Sequence, residues 1–224
     1  MKRFESIYKK YKICNETERL EFKFRNRHDI FNAYTAPARR EERYDLLNNS
    51  LTLMLVRHPF ERLLSAYTGK IASPFVRQHH ETRKEIIKKY RTDPSDRSLV
   101  PSFREFILYI LDVTDRGLSP KQWAYIVTWR PYYSICLPCN VTYDVIIELA
   151  NQKEEERYVF AVKQDLEFLD TGVWEHNSNT NRDSRSEAMF AELSKNEVKL
   201  LYERYKIDME MFNYTIDKYI NYAF

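Results

Sequence analysis

Glycine is nearly missing from this 224-residue chain, with three in all. No stretch is low in complexity or periodic, which excludes repeat architectures and extended disorder. No run of about 18 apolar residues occurs, so no segment reads as a membrane-spanning helix. Residues 1–12, MKRFESIYKKYK, lack the apolar centre of a secretory leader. Charge of one sign is also lacking. The formal net charge is only +3, too mild for a nucleic-acid footprint. Cysteine is scarce, at three. Cys136 and Cys139 form a single C-L-P-C, with Cys14 left over. One C-x-x-C reads as half a zinc site, a redox pair or a local disulfide. No second pair at zinc-site spacing exists, which argues against structural zinc. Tyr132, Tyr133 and Pro138 suggest an irregular loop, which favours the disulfide.

Aromatic residues, by contrast, make up 15% of the chain, and 17 of its residues are Tyr. Such tyrosines suit either sugar-binding surfaces or cores that reach water, and the core reading is preferred. Hydrophobic residues at 43% and charged residues at 31% are ordinary for a folded domain with a real core. The basic run RKEIIKKYR at 83–91 and the acidic run at 154–156 read as solvated faces. Sequons at Asn15, Asn48, Asn140 and Asn213 are a modest excess over chance and lean toward a secretory compartment.

No linker composition interrupts the chain, which predicts a single domain over residues 1–224. Residues 4–12, 18–33 and 38–47 read as helices. LTLMLV at 51–56 is a short apolar run bounded by the turn N-N-S. It predicts a strand buried on both faces, as in a parallel α/β sheet. Pro59 suits the first turn of a helix that carries Phe60, Leu63, Leu64 and Tyr67 on one side. Further helices are expected over 80–91, over 102–112 behind a Ser102 cap, and from the S-x-x-E capping box at Ser194 and Glu197. YDVIIEL (143–149) and YVFAV (158–162) read as strands, or as a short helix followed by a strand.

Arg57 is the first residue beyond the carboxyl end of the 51–56 strand. Ligands of open α/β sheets sit at that position. The helix beginning at Pro59 aims its N-terminal N–H groups at the same place. Arg62 and Ser65 are three apart and share a helix face. An arginine, a helix N-terminus and a hydroxyl suit a phosphate-like dianion, because the guanidinium fork matches its oxygens. The alternative is that Arg57 is a strand-end charge paired with Glu61.

VRHPFERLLSAYTGKI (56–71) resembles the 3′-phosphate-binding motif of the carbohydrate sulfotransferases, the Golgi family of chondroitin, dermatan and HNK-1 sulfotransferases. The pattern R-x-P-x-x-R-L-x-S-A-Y-x-x-K is met by Arg57, Pro59, Arg62, Leu63, Ser65, Ala66, Tyr67 and Lys70. Three more blocks follow in family order: FREFILYILD (103–112), WRPYYSICLPCNVTYDVI (129–146) and LYERYKIDMEMFNYT (201–215). The resemblance implies a P-loop NTPase-like α/β fold with a parallel sheet flanked by helices. It also implies the donor 3′-phosphoadenosine 5′-phosphosulfate, with no metal. Arg57, His58, Pro59, Arg62 and Ser65 would line the donor's 3′-phosphate site, with Arg57 and Ser65 holding the phosphate. The reaction implied is sulfuryl transfer to a sugar hydroxyl of a glycosaminoglycan or N-glycan, with the 4-O position of GalNAc common among similar members. The family is lumenal and glycosylated. That agrees with the sequons, with C-L-P-C as a disulfide, and with a type II membrane protein facing the Golgi lumen.

The family also has a donor loop, P-K-x-x-x-T-x-W-K-R, about 35 residues before the segment that Tyr34–Pro37 resembles. Counting back reaches Lys2 and Arg3 at the end of that loop. The resemblance therefore implies an N-terminally truncated chain, lacking the 5′-phosphosulfate loop, the strand before it and any membrane anchor. Such a chain is expected to bind donor poorly, since a backbone nest and a lysine stabilise the transferring group. Thr68, Thr128 and Ala150 depart from residues usual in the family. No catalytic base is assigned among His28, His58, His79, His80 and His176. His79 and His80 read as solvated, and the family often has an acid at the position of His58. A non-catalytic relative binding nucleotide or anionic glycan, and a generic polyanion-binding protein, are the competing readings.

Overall fold

A computed structural model describes residues 39–112, 128–136, 138, 143–150 and 182–224. The helices expected at 4–12 and 18–33 and the strand at 158–162 lie outside the described residues, as do Cys14, Cys139 and His176. The described residues form two compact units, one of 39–56 with 143–150 and one of 57–138 with 182–224.

In the first unit, helix α1 (Arg40–Asn48) leads into strand β1 (Leu53–Val56), and β2 (Val145–Glu148) pairs with β1 in parallel. The register sets Leu53 against Val145 and Val56 against Glu148. Thr52 starts the pair, since its N–H and hydroxyl both donate to the Asp144 carboxylate, at 2.7 and 2.8 Å. The parallel strand expected from LTLMLV is present. Its burial differs from the expectation, because Met54 and Val56 are buried while Leu53 and Leu55 are about half exposed. The strand thus alternates, as a strand covered on one face does.

The second unit is helical. It contains α2 (Pro59–Ala66), α3 (His80–Tyr90), α4 (Phe103–Asp112), α5 (Tyr132–Ile135), α6 (Arg182–Phe190), α7 (Lys195–Met211) and α8 (Asp217–Tyr222). Phe60, Leu63 and Leu64 of α2 meet Phe103, Phe106, Ile107 and Ile110 of α4, together with Trp129, Phe190, Leu201 and Tyr205. Tyr67, Tyr109, Tyr132, Tyr205 and Tyr219 are all buried, so these tyrosines belong to the core. The short helices α6 and α8 lack the long apolar stripe that reveals a helix in sequence. They were not expected.

Beyond α2 the backbone widens into a π-helical turn over Tyr67–Ile71, where the Ala72 N–H reaches back to the Tyr67 carbonyl at 2.7 Å. Such a turn disturbs the regular hydrogen-bond ladder. The Thr68 hydroxyl donates to the Leu64 carbonyl at 3.0 Å and so satisfies an acceptor at the transition.

The basic run 83–91 is not only a solvated face. Arg83 is buried and donates to the carbonyls of Lys70, Pro74 and Val76 at 3.2, 3.2 and 2.9 Å. Arg91 pairs with Glu105 at 3.0 Å and also donates to the Ser98 and Val100 carbonyls. Both guanidinium groups staple irregular loops, where backbone acceptors have no helical partner.

The expected capping box is present at α7. The Glu197 N–H donates to the Ser194 hydroxyl, and the Glu197 carboxylate accepts from the Ser194 N–H. Ser194→Ala is expected to lower the unfolding free energy by about 1 kcal/mol. Urea denaturation of the two proteins checks it, and equal midpoints would exclude a stabilising cap.

Candidate functional site

Pro59 occupies the first helical position of α2, and His58 caps it. The Phe60 N–H donates to His58 Nδ1 at 3.1 Å. The proton of the ring therefore sits on Nε2, which donates to the Thr215 carbonyl at 2.9 Å. Burial lowers the pKa of His58, against the opposing pull of the Thr215 carbonyl and of Glu61. Its ring packs against Phe60, Tyr214 and Tyr219. His58 thus acts as a neutral cap that ties α2 to the residues preceding α8. Both ring nitrogens are engaged. It also consumes one N–H that a helix N-terminus would otherwise offer an anion.

Arg57 lies between Val56, the last residue of β1, and this cap. Its guanidinium meets Glu61 at 3.4 Å, and both side chains are largely buried, at 21% and 15% exposure. The ion pair weighed as the alternative is therefore real, and it does not remove Arg57 from the segment. Glu61 and Ser65 are four apart in α2 and share a face. Ser65 on that face is exposed.

Arg62 goes elsewhere. Its guanidinium lies over the Tyr132 ring, 4.0 Å from the centroid, and donates to the Arg130 carbonyl. The face expected to be shared by Arg62 and Ser65 thus divides. Arg62 braces residues 130–132, while Arg57, Glu61 and Ser65 make up the polar stripe.

Two residues of the LYERYKIDMEMF block hold the segment that Arg62 meets. Asp208 is fully buried and accepts the N–H groups of Tyr132 and Tyr133 at 2.6 and 3.0 Å, at the N-terminus of α5. Burial raises its pKa, and these two N–H groups oppose the rise by favouring the charged form. The Tyr205 hydroxyl donates to the Trp129 carbonyl. Two of the expected blocks, 129–146 and 201–215, therefore meet in space.

The sequence marks no role for Asp208, places Tyr205 only on the apolar face of its helix, and marks none for Ser186 or Tyr219. The Y-x-x-D spacing within α7 was the available signal for the first two. Ser186 and Tyr219 lie on the helices that periodicity did not reveal.

His79 is buried beside Trp129, with ring centroids 5.9 Å apart, so the expectation that it is solvated is corrected. His80 is exposed as expected. Asn48 and Asn213 are exposed, and Asn213 sits at a positive φ of 55° after α7. Cys136 is half-buried, and the rest of C-L-P-C at Leu137 and Cys139 lies outside the described residues. Among the described residues no cluster of His, Cys, Asp or Glu is arranged to hold a metal ion. No described helix is long and apolar enough to cross a membrane.

The described residues thus hold a parallel β-pair and, in the helical unit, an arginine followed by a proline-started helix carrying a hydroxyl, which makes the protein mixed α/β. A model of the Sulfotransferase family matches residues 2–215, and the chain belongs to that family. It is similar to carbohydrate sulfotransferase 11 of Rattus norvegicus, 28% identical over 179 residues, which are 78% of this chain and 49% of that protein. Carbohydrate sulfotransferase 10 of Xenopus laevis is 28% identical over 182 residues, covering 76% of this chain and 49% of the relative. Carbohydrate sulfotransferase 9 of Homo sapiens is 29% identical over 180 residues, covering 77% and 39%. The chain spans about half the length of the curated relatives it matches, or less. No solved structure matches it.

Proposed function

We propose that the chain carries the 3′-phosphate half of the donor site of a carbohydrate sulfotransferase. The reaction moves a sulfuryl group from 3′-phosphoadenosine 5′-phosphosulfate to a sugar hydroxyl. The acceptor oxygen forms a bond to sulfur, the bond from sulfur to the phosphate oxygen breaks, and adenosine 3′,5′-bisphosphate leaves. The hydroxyl proton passes to a base that no residue here is assigned to supply. Arg57 and Ser65 would receive the 3′-phosphate, Arg57 as the charged donor and Ser65 as a neutral one. His58 and Pro59 set the start of α2, and Arg62 ties α2 to residues 130–132.

The observation that carries this reading is the Arg57, Glu61 and Ser65 stripe. It sits directly after β1 in the motif shared with the family. A P-loop-like sheet, a single domain over 1–224 and a glycosaminoglycan or N-glycan acceptor complete the proposal, with the GalNAc 4-O position as the first to test. The exposed sequons at Asn48 and Asn213 support a Golgi-lumen setting.

Calorimetric titration with adenosine 3′,5′-bisphosphate tests the donor site. Arg57→Ala is expected to weaken binding at least about tenfold, since a charge-assisted contact to phosphate contributes on the order of 1.5–3 kcal/mol. Binding that is unchanged in this variant, or missing from the folded chain, would sink the reading.

A further inference from the structure

The Arg57–Glu61 pair does not stand alone. Glu61 Oε1 accepts the Ser186 hydroxyl of α6 at 2.8 Å and the Tyr219 hydroxyl of α8 at 2.9 Å. The other oxygen, Oε2, faces Arg57. Both hydroxyl donors are themselves enclosed by the fold. Ser186 is fully buried, and Tyr219 is 3% exposed, with its ring packed on Phe60, Phe190 and His58. We propose that Glu61 is a positioning residue for Arg57, and that Ser186 and Tyr219 set its aim from the C-terminal helices. The proposal rests on the reading that Arg57 meets the donor's 3′-phosphate.

The physical argument concerns which partner moves. An arginine side chain has several free torsions and settles only when its fork is held. A carboxylate with two hydroxyl donors on one oxygen has little freedom left, so the guanidinium adapts to Glu61. Glu61 also shares the α2 face with Ser65. Holding Arg57 against Glu61 keeps its cation toward the helix face that carries the hydroxyl proposed to share the phosphate. Burial and the Glu61 charge push the Tyr219 phenol far above its ordinary range, so it remains a donor. His58 and Lys218 are the other titratable groups that feel Glu61. His58 is held by Thr215, and Lys218 pairs with Asp183. Neither replaces Arg57 as the partner of Oε2.

The test compares affinities for adenosine 3′,5′-bisphosphate and adenosine 5′-phosphate, measured on the whole chain by ligand-observed NMR. Their ratio reports the 3′-phosphate contact and is independent of the folded fraction, so lost stability does not mimic the effect. Ser186→Ala combined with Tyr219→Phe leaves every charge in place and removes both holds on Glu61. The ratio is expected to fall about fivefold, less than the loss in Arg57→Ala, because the guanidinium is misaimed and not removed. Glu61→Gln is expected to lower it similarly. In an Arg57→Ala background neither change should have further effect. An unchanged ratio in the double variant would overturn the proposal. A ratio that rises in Glu61→Gln would also overturn it, by marking Glu61 as a counter-ion competing with phosphate. If Arg57→Ala itself leaves the ratio unchanged, the donor-site reading fails instead.

Discussion

Asp208→Ala is expected to lower the unfolding free energy by about 3 kcal/mol. The carboxylate is fully buried and is the acceptor for two N–H groups at the start of α5. Alanine offers them nothing, and no water-exposed route replaces the lost acceptor at Tyr132, whose side chain is also buried. Each buried donor left unpaired costs about 1–3 kcal/mol. Asp208→Asn keeps one acceptor oxygen and removes a buried charge, so less than half of the loss is expected. Chemical denaturation gives both values. A midpoint for Asp208→Ala within error of the parent would mean that α5 finds its acceptors elsewhere.

The same substitution reaches the candidate site by a short route. Arg62 rests on the Tyr132 ring and on the Arg130 carbonyl. Freeing the start of α5 removes the surface against which Arg62 is packed, and Arg62 directly follows Glu61 in α2. Asp208→Ala should therefore also reduce affinity for adenosine 3′,5′-bisphosphate. The loss should be smaller than that of Arg57→Ala, because Asp208 acts through two intermediate contacts.

Local signals served well where a single element sets its own boundaries. Pro59, the Ser194 box and the turn before LTLMLV each placed a helix or strand end, because capping and turn chemistry are encoded within a few residues. The motif at 57–65 was legible for the same reason. It combines a strand end, a cap and a helix start in one short run. What remained hidden depended on distant partners. Arg83 and His79 read as surface charges in a polar stretch, yet the carbonyls of Lys70, Pro74 and Val76 and the ring of Trp129 enclose them. No spacing within 72–91 reveals that enclosure. Likewise β1 looked apolar on both faces because its residues are apolar, whereas burial depends on what lies over each face. Ser186 and Tyr219 lie 125 and 158 residues from Glu61. Only the tertiary fold joins the three.

His79 gives the second large effect, one of pH. Burial, with Lys70 and Arg83 nearby, pushes its pKa down from 6.5 to about 4. Above pH 6.5 the ring is neutral in both folded and unfolded chains, and its environment is fully compatible with folding. Between pH 6.5 and 4 the unfolded chain takes up a proton that the folded chain refuses. Stability should then fall as pH falls, at up to about 1.4 kcal/mol per pH unit, for a total of about 3 kcal/mol. Below pH 4 both states are protonated, and this contribution to the slope ends. Carboxylates add their own acid dependence in that range, so the comparison that isolates His79 is with His79→Gln. The difference between the two stability profiles should narrow or reverse by about 3 kcal/mol between pH 7 and 4. A direct NMR titration of the ring should give a pKa well below 6. Parallel profiles, or a ring titrating near 6.5, would contradict the burial seen here. The consequence is also local. A charged ring would place a third cation beside Arg83 and Lys70 and against Trp129, whose carbonyl anchors Tyr205 of α7. Mild acid should therefore loosen the contact between 129–135 and α7 before the rest of the helical unit. A change in Trp fluorescence at a higher pH than the loss of helical signal would show it.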